Sequence, residues 1–297
     1  FGLLNLQLLS QHQLEGVRER NMLQARSIVE EVEAFLLEMH SDLLNVEETI
    51  DSGMITQPAD IDEFLASVVR NSQFFESIYL LDSNCQLLHL GLLPKIQSTR
   101  NDYVGLDFSG HQIFQTGKAL REPVWSNTYI SLVTGEPSVT LGFSTAQGFL
   151  LGNIRLSSLG LLLQRYATHG GVEVSIVDKS GALVAHNMIE MTMQRINFGD
   201  HPAIIAAMAG EESTREFKQG SKYYLESAAL ISTPEWVVWV GLDMNQVLAP
   251  IHHMRDMLLY FMLGTVALAS LFAFMNVRRL MQPLTSLGNR TGQIAGG

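Results

Sequence analysis

The sequence predicts an α+β fold in which two modules, each built on an antiparallel sheet, are attached to one long N-terminal helix and followed by a membrane-spanning helix. Three observations lead to this prediction. Apolar residues recur at helical spacing over the first fifty residues, without a proline. Short strand patterns separated by turn sequences then occur in two successive groups. An uncharged stretch of about 20 residues, long enough to cross a bilayer, follows them near the C-terminal end.

The long helix is predicted over about 6–50. Its apolar residues, from Leu14 to Ile50, keep a spacing near i+3/i+4, and Ser52-Gly53 supplies a stop. At the usual rise per residue such a helix extends on the order of 65 Å, enough to pass more than one module. Two interpretations stay open: a dimer seam with imperfect heptads, or a helix that packs only on its own domain.

The first group of strands is preceded by a second helix, predicted from 58 to about 70 with a proline in its first turn. Its strands are joined by turns such as Asp82-Ser83-Asn84, which indicates hairpins and an antiparallel sheet. A short helix and a closing helix are predicted at 111–116 and 159–166. The predicted strands are 76–81, 86–90, 124–132, 138–144 and 149–156.

The second group repeats this order in smaller form after the break at Gly170-Gly171. A helix is predicted at 202–209, and Asn245 opens a final helix that can run into the membrane. The predicted strands are 172–177, 182–186, 214–217, 223–231 and 236–242.

The uncharged stretch, 257–277, is followed at once by Arg278 and Arg279. Basic residues at the end of a span mark its cytoplasmic side, so residues from about 10 to 255 are expected outside the cytoplasm. Residues 1–9 have the composition expected at the end of an earlier membrane helix. For the stretch 257–277 the alternative is a buried core helix, although core helices of this length usually carry a polar face.

Composition excludes several classes of function. The net charge of −11 argues against a nucleic-acid binder, and Cys85 is the only cysteine, so neither an intramolecular disulfide nor a cysteine-based zinc site is expected. His252 and His253 are adjacent on a helix, face about 100° apart and rarely chelate one ion together. The sequence has no HExxH, GxSxG, GxGxxG or P-loop motif. We therefore predict no enzyme activity, metal or cofactor for this segment.

Five segments together resemble the double-Cache sensing domain of bacterial receptors, which has two PAS-like modules and a long N-terminal helix. They are SIYLLDSNCQLLHLG (77–91), DYVGLDFSGHQIF (102–114), VWSNTYISLVTGEPSVTLGF (124–143), GFLLGNIRLSSL (148–159) and VSIVDKSGALVAHN (174–187). The resemblance implies a long helix at 10–56, a membrane-distal module at 57–168, a membrane-proximal module at 169–247, and an exit and membrane helix at 248–277.

The tail at 277–297 resembles the first helix of a HAMP linker, with Pro283 after the basic exit. A simple stop-and-turn proline is the alternative. The two resemblances imply an extracytoplasmic sensor of a receptor in the cell inner membrane, whose absent output domain is a histidine kinase, a diguanylate cyclase or a chemotaxis signaller. The expected partners are a small-molecule ligand, the lipid bilayer and a second copy of the chain. An interaction or dimerisation module for a periplasmic protein is the other function considered.

The resemblance places the ligand in the distal module, where aromatic residues would form walls and neutral polar groups would bind the ligand. The implied ligand-binding residues are Trp125, Ser126, Asn127, Tyr129, Ser131, Thr140, Arg155, Tyr103 and Arg121. For each of them a purely structural role is the alternative.

One departure from the family predicts the charge of the ligand. Amino-acid-sensing members carry an Arg-x-Trp-Tyr sequence and, on the last strand, an aspartate for the ammonium of the ligand. In this chain the segment that matches Arg-x-Trp-Tyr reads Pro123-Val124-Trp125-Ser126, and Arg155 occupies the position that matches the aspartate. A guanidinium reverses the charge preference, so a small anion such as a carboxylate is predicted. Alternatively, Arg155 points to solvent or pairs with an acid.

Overall fold

The computed structural model describes residues 2–94, 102–115, 123–131, 133–167, 171–192, 196–220 and 222–294. Residues 1–244 form one compact unit and residues 245–297 form another. The α+β prediction is confirmed, because the first unit contains a long helix and two antiparallel sheets.

Helix α1 (Gly2–Asp51) forms one continuous helix without a proline, as predicted. Its buried residues recur at helical spacing from Ala25 through Ile28 and Val32 to Ile50. They belong to a single hydrophobic cluster that also contains residues of both sheets, so α1 packs on both modules. The side-chain amide of Asn21 is buried against the proximal sheet, where its Nδ2 lies 3.0 to 3.2 Å from the Ser227 hydroxyl oxygen and from the carbonyl oxygens of Leu225 and Val240.

Helix α2 (Pro58–Asn71) begins with its proline, as the sequence predicts, and covers the distal sheet with an apolar face that includes Leu65 and Val69. Strand β2 (Leu87–Leu92) passes very close to α2 at Gly91. A Cβ added there would overlap the carbonyl group of Leu65 and lie 2.7 Å from the Ala66 nitrogen. The absence of a side chain at this position therefore lets helix and sheet touch.

The distal sheet has six strands in the order β2-β1-β6-β5-β3, and β4 also pairs with β5. Helix α3 (Gln112–Gln115) lies within this module, and α4 (Ser157–Gln164) closes it, followed by a single 3-10 turn at Arg165–Ala167. The strands are β1 (Phe75–Asp82), β2 (Leu87–Leu92), β3 (Val124–Trp125), β4 (Tyr129–Ile130), β5 (Pro137–Ser144) and β6 (Gly148–Arg155).

The single strand predicted over 124–132 is wrong, because the structure has two short strands there with an irregular segment between them. Ser126 is the reason. Its Oγ accepts a hydrogen bond from the Thr140 nitrogen (2.8 Å) and donates one to the Asn127 carbonyl (2.9 Å). A serine hydroxyl that satisfies backbone groups in this way replaces ladder hydrogen bonds, and the chain leaves the sheet.

The proximal sheet has five strands in the order β8-β7-β11-β10-β9, all antiparallel. Two short helices, α5 (Ile189–Thr192) and α6 (Pro202–Met208), belong to this module, and sequence reasoning missed α5. The strands are β7 (Val172–Val177), β8 (Leu183–His186), β9 (Ser213–Gln219), β10 (Lys222–Ile231) and β11 (Trp236–Asp243).

The second unit consists of helix α7 (Met244–Ile294). Its stretch Asp256–Asn276 is long and apolar enough to cross a membrane, and none of that stretch is buried in the structure. This agrees within one residue with the predicted span. The exposed apolar surface also argues against the alternative of a buried core helix.

Candidate functional site

A cavity of about 420 Å³ lies in the distal module between the sheet and the segment that leads to α3. It has apolar and aromatic walls with a few polar groups, which is the usual character of a small-molecule site. Four predicted ligand-binding residues line it: Tyr103, Ser126, Tyr129 and Ser131. The remaining described lining residues are Glu76, Tyr79, Leu106, Phe108, Gly110, His111, Ile130, Val133, Leu151 and Asn153.

A buried polar network fixes one wall of this cavity. Asn153 Oδ1 accepts hydrogen bonds from Tyr129 Oη (2.9 Å) and Thr140 Oγ1 (2.6 Å), and Asn153 Nδ2 donates to Ser77 Oγ (2.8 Å). Thr140, a predicted site residue, is fully buried and supports Tyr129 from behind without lining the cavity. Because an asparagine amide both donates and accepts, one side chain orients three hydroxyl groups.

The cavity carries one carboxylate among its described lining residues, that of Glu76, which is 1% exposed. Its Oε2 accepts hydrogen bonds from Thr134 Oγ1 (2.7 Å) and Ser138 Oγ (3.3 Å). The pairing of β1 with β6 shifts register between Phe75 and Ser77, so Glu76 is the extra residue of a β-bulge. Bulges redirect side chains, and this one places Glu76 and Tyr79 on the same cavity.

Burial keeps the titratable groups around Glu76 neutral near pH 7. It raises the pKa of the Tyr79 phenol to about 12, and it also raises the pKa of Tyr129. The negative charge of Glu76 adds to both increases. Burial lowers the pKa of His111 below its ordinary value, so this imidazole carries no positive charge near pH 7. Both phenols therefore keep their protons near pH 7, and Tyr129 donates its proton to Asn153 Oδ1.

The serines of the lining have already engaged their hydroxyl groups. Ser126 Oγ bonds the backbone at Thr140 and Asn127, as described above, whereas Ser131 Oγ accepts from the backbone nitrogens of Val133 (3.1 Å) and Thr134 (3.3 Å). These two predicted residues therefore shape the wall by holding the backbone around β4.

Besides Thr140, four predicted residues do not belong to the described lining of the cavity. Trp125 packs edge-on against Trp236 of the proximal module, with ring centroids 6.0 Å apart. Asn127 contributes its carbonyl to Ser126 and does not line the cavity. Arg155 Nη2 donates to the carbonyl of Gln73 (2.9 Å), away from the cavity. Arg121 lies outside the described residues.

Sequence reasoning missed Glu76, His111 and Asn153. A signal for Glu76 existed, because it is a lone charged residue in the apolar stretch 74–81, and a buried charge requires a specific partner. Asn153 occupies an inward position on β6, two residues before Arg155, and the sequence analysis considered only Arg155 on this strand. The segment that carries His111 was recognised by resemblance, without a role for its imidazole.

A second cavity, of about 370 Å³, lies between the two modules. Tyr129 and Ile130, which form β4, line both cavities, so this short strand is a shared wall. On the proximal side the second cavity is bounded by Ala182, Leu183, Thr192 and Asn197. Thr128 also lines it, and the Oγ1 of this threonine is buried without a hydrogen-bond partner among the residues that the structure describes.

Solved structures similar to this chain are sensor domains of receptors. The ligand-binding domain of the Campylobacter jejuni chemoreceptor Tlp3, in complex with L-norvaline, superposes with a TM-score of 0.61 at 15% identity, over 80% of this chain and 94% of that one. The ligand-binding domain of the Pseudomonas fluorescens chemoreceptor CtaA, in complex with L-isoleucine, gives 0.59 at 14% identity, over 82% and 97%.

A third structure is the extracellular domain of rpHK1S-Z16, which its name assigns to the histidine kinases. It gives a TM-score of 0.66 at 14% identity, over 81% of this chain and 98% of that one. At these identities the likeness shows a common fold. None of the curated protein sequences matches the chain closely enough to indicate a relative. The double-Cache family model, described as a Cache domain, matches residues 7–251, and the chain therefore belongs to the Cache domain family of sensors.

Proposed function

We propose that this chain is the extracytoplasmic sensing region of a bacterial transmembrane receptor and that it binds a small molecule in the distal cavity. The observation that carries the proposal is the cavity itself, which has aromatic walls, a buried carboxylate and a preorganised Tyr129–Asn153 network. The unfilled distal interior supports this function over the alternative of an interaction or dimerisation module for a periplasmic protein partner. The cytoplasmic output domain would be a histidine kinase, a diguanylate cyclase or a chemotaxis signaller.

A metabolite screen on the full 297-residue chain in lipid nanodiscs tests the proposal through thermal shifts. Gly110→Trp should abolish any shift, because Gly110 lines the cavity and an added side chain there starts in open space. Ser109→Trp is the matched control, since Ser109 is exposed and outside the lining. If the Gly110 variant bound as tightly as the wild type, the ligand would have to bind elsewhere.

The membrane topology is part of the proposal. Residues 1–9 would be the end of a first membrane helix, 257–277 would span the inner membrane, about 10–255 would lie in the periplasm, and 278–297 would begin a HAMP linker. The exposed apolar stretch of α7 and the arginines after it support this arrangement. In a Cys85→Ser background, a membrane-impermeant maleimide should label Ser109→Cys in spheroplasts and leave Ser286→Cys unlabelled. The reverse pattern would contradict the topology.

Ligand binding would reach the proximal module through β4. Among the described residues this strand pairs with the start of β5 alone, at Tyr129–Ser138 and Ile130–Pro137, so few of the described backbone hydrogen bonds hold it in place. A ligand that displaced Tyr129 would also move Ile130, which borders the proximal residue Leu183 across the second cavity. The displacement can bias signalling only if the ligand binds one arrangement of β4 more tightly than the other.

The chain is further proposed to form a homodimer through α1. Leu23, Leu37 and Leu44 are 60%, 66% and 41% exposed, and their spacings of 14 and 7 residues are multiples of a heptad that is interrupted at Glu30. Leu37→Glu should therefore shift sedimentation from dimer to monomer. Leu161→Glu is the control, because Leu161 is 59% exposed on α4 and lies outside this repeat. A Leu37 variant that sediments as the wild type does would rule out this seam.

A further inference from the structure

The charge of the distal cavity indicates the class of its ligand, an inference that rests on the proposed sensor function. Glu76 is the one acidic side chain of the described lining, and that part of the wall contains no arginine or lysine. Its carboxylate receives two hydroxyl hydrogen bonds, and none of the ion pairs among the described residues includes it. A nearby cation stabilises a buried carboxylate.

Aromatic rings line the same cavity as this carboxylate. Tyr79, Tyr103, Phe108 and Tyr129 all line the cavity, and the rings of Tyr79 and Phe108 pack 5.5 Å apart. The face of an aromatic ring attracts a cation, and a cluster of such faces is a known arrangement for binding ammonium groups. The walls therefore favour the same charge as Glu76 does.

Nothing in the described wall opposes that charge. Burial lowers the pKa of His111, so the imidazole adds no competing positive charge near pH 7. The guanidinium of Arg155, which the sequence had suggested for an anion, is bonded to the Gln73 carbonyl away from the cavity. The prediction of a carboxylate ligand thus loses the contact on which it rested.

We propose that the distal cavity binds a small organic cation, a protonated amine without a carboxylate of its own, with its ammonium at Glu76 and its apolar part among the aromatic rings. The bulge at Glu76 gives this assignment its geometric basis, because regular strand alternation would have turned the carboxylate to the opposite face of β1 from Tyr79. A cavity of about 420 Å³ has room for such a ligand.

Three probes that differ by one charged group test the proposal: 3-methylbutylamine, L-leucine, which adds a carboxylate, and 4-methylpentanoate, which replaces the ammonium by a carboxylate. Calorimetry on the full chain in nanodiscs is expected to show the amine binding at least tenfold more tightly than either of the other two. Tighter binding of leucine or of 4-methylpentanoate would overturn the proposal, because the cavity would then favour a carboxylate.

Two variants check that Glu76 and the rings are responsible. Glu76→Gln keeps the shape and an acceptor for Thr134, and it should weaken amine binding at least tenfold. Glu136→Gln is the control, because Glu136 lies between β4 and β5 near Thr134, accepts a hydrogen bond from Ser157 Oγ and is outside the described lining. Tyr103→Leu should weaken the amine while melting as the wild type does. Equal amine affinity in the wild type and Glu76→Gln would refute the assignment.

Neutral probes separate this inference from the proposed function. If ribose or another uncharged metabolite binds, and Gly110→Trp abolishes that binding, the chain is a sensor and the cationic assignment is wrong. If amines, acids, amino acids and uncharged metabolites all fail to bind in the cavity, both the inference and the sensor function are overturned.

Discussion

Removal of the Asn153 side chain is the sharpest test of the polar network behind the cavity. Asn153→Ala eliminates three hydrogen bonds, to Tyr129, Thr140 and Ser77. At about 1 kcal/mol each, their loss amounts to about 3 kcal/mol. Water from the adjoining cavity can replace part of this, so we expect the free energy of unfolding to fall by about 2 kcal/mol. For a unit of this size the Tm should drop by about 4–8 °C.

Tryptophan fluorescence is a suitable assay, because all three tryptophans, Trp125, Trp236 and Trp239, lie in residues 1–244 and report on that unit alone. Tyr129→Phe is the matched control. It removes one hydroxyl and leaves the Thr140–Asn153 hydrogen bond in place, so its cost should be about 1 kcal/mol. An Asn153 variant that melts within 1 °C of the wild type, or a Tyr129 variant that costs as much, would refute the reasoning.

The remaining predictions concern stability and its dependence on pH. Gly91→Ala should cost about 1–3 kcal/mol in urea denaturation, because a Cβ there overlaps the backbone of α2. Gly16→Ala, with open space around it on helix α1, should instead stabilise by up to about 1 kcal/mol; equal midpoints for the two variants would contradict both. Burial lowers the pKa of His111 and His186 below 6.5, so the unfolded chain binds protons more readily and the unfolding free energy should fall as the pH drops below about 6.5. Replacing both histidines by glutamine should flatten this dependence between pH 7.5 and 5.5, and an undiminished slope would exclude them as its cause.

Most of the fold could be predicted from the sequence, because its elements satisfy local rules. The turn after β1 is an example: Asp82 Oδ1 accepts hydrogen bonds from the nitrogens of Asn84 and Gln86, both at 2.8 Å, as the Asp-Ser-Asn sequence predicts. The break between β3 and β4 could not be predicted, because it depends on a hydrogen bond from the Thr140 nitrogen to Ser126, fourteen residues earlier in the chain.

The site was predicted less completely than the fold, because strand alternation fails where the sheet is irregular. The β-bulge moves the Glu76 side chain to the other face of the sheet, and no local sequence pattern indicates the bulge. The position of Asn153 on the cavity depends on the register between β6 and its neighbours, which a resemblance without a diagnostic motif does not fix to the residue. Tyr103 and Tyr129 were placed by resemblance, and both lie on the cavity.

Helix α1 packs on both sheets, and this limits how the Cache domain can be recombined with other sensor domains. Ile28 and Leu43 lie in one hydrophobic cluster with Val174 and Val240 of the proximal sheet and Ile154 of the distal sheet. Each module therefore needs α1 to complete its hydrophobic core. In a chimera joined between the modules, the α1 helix of one protein would have to pack on sheets from two different proteins. Domain exchange, in evolution or in engineering, should therefore transfer the whole stretch from α1 to β11.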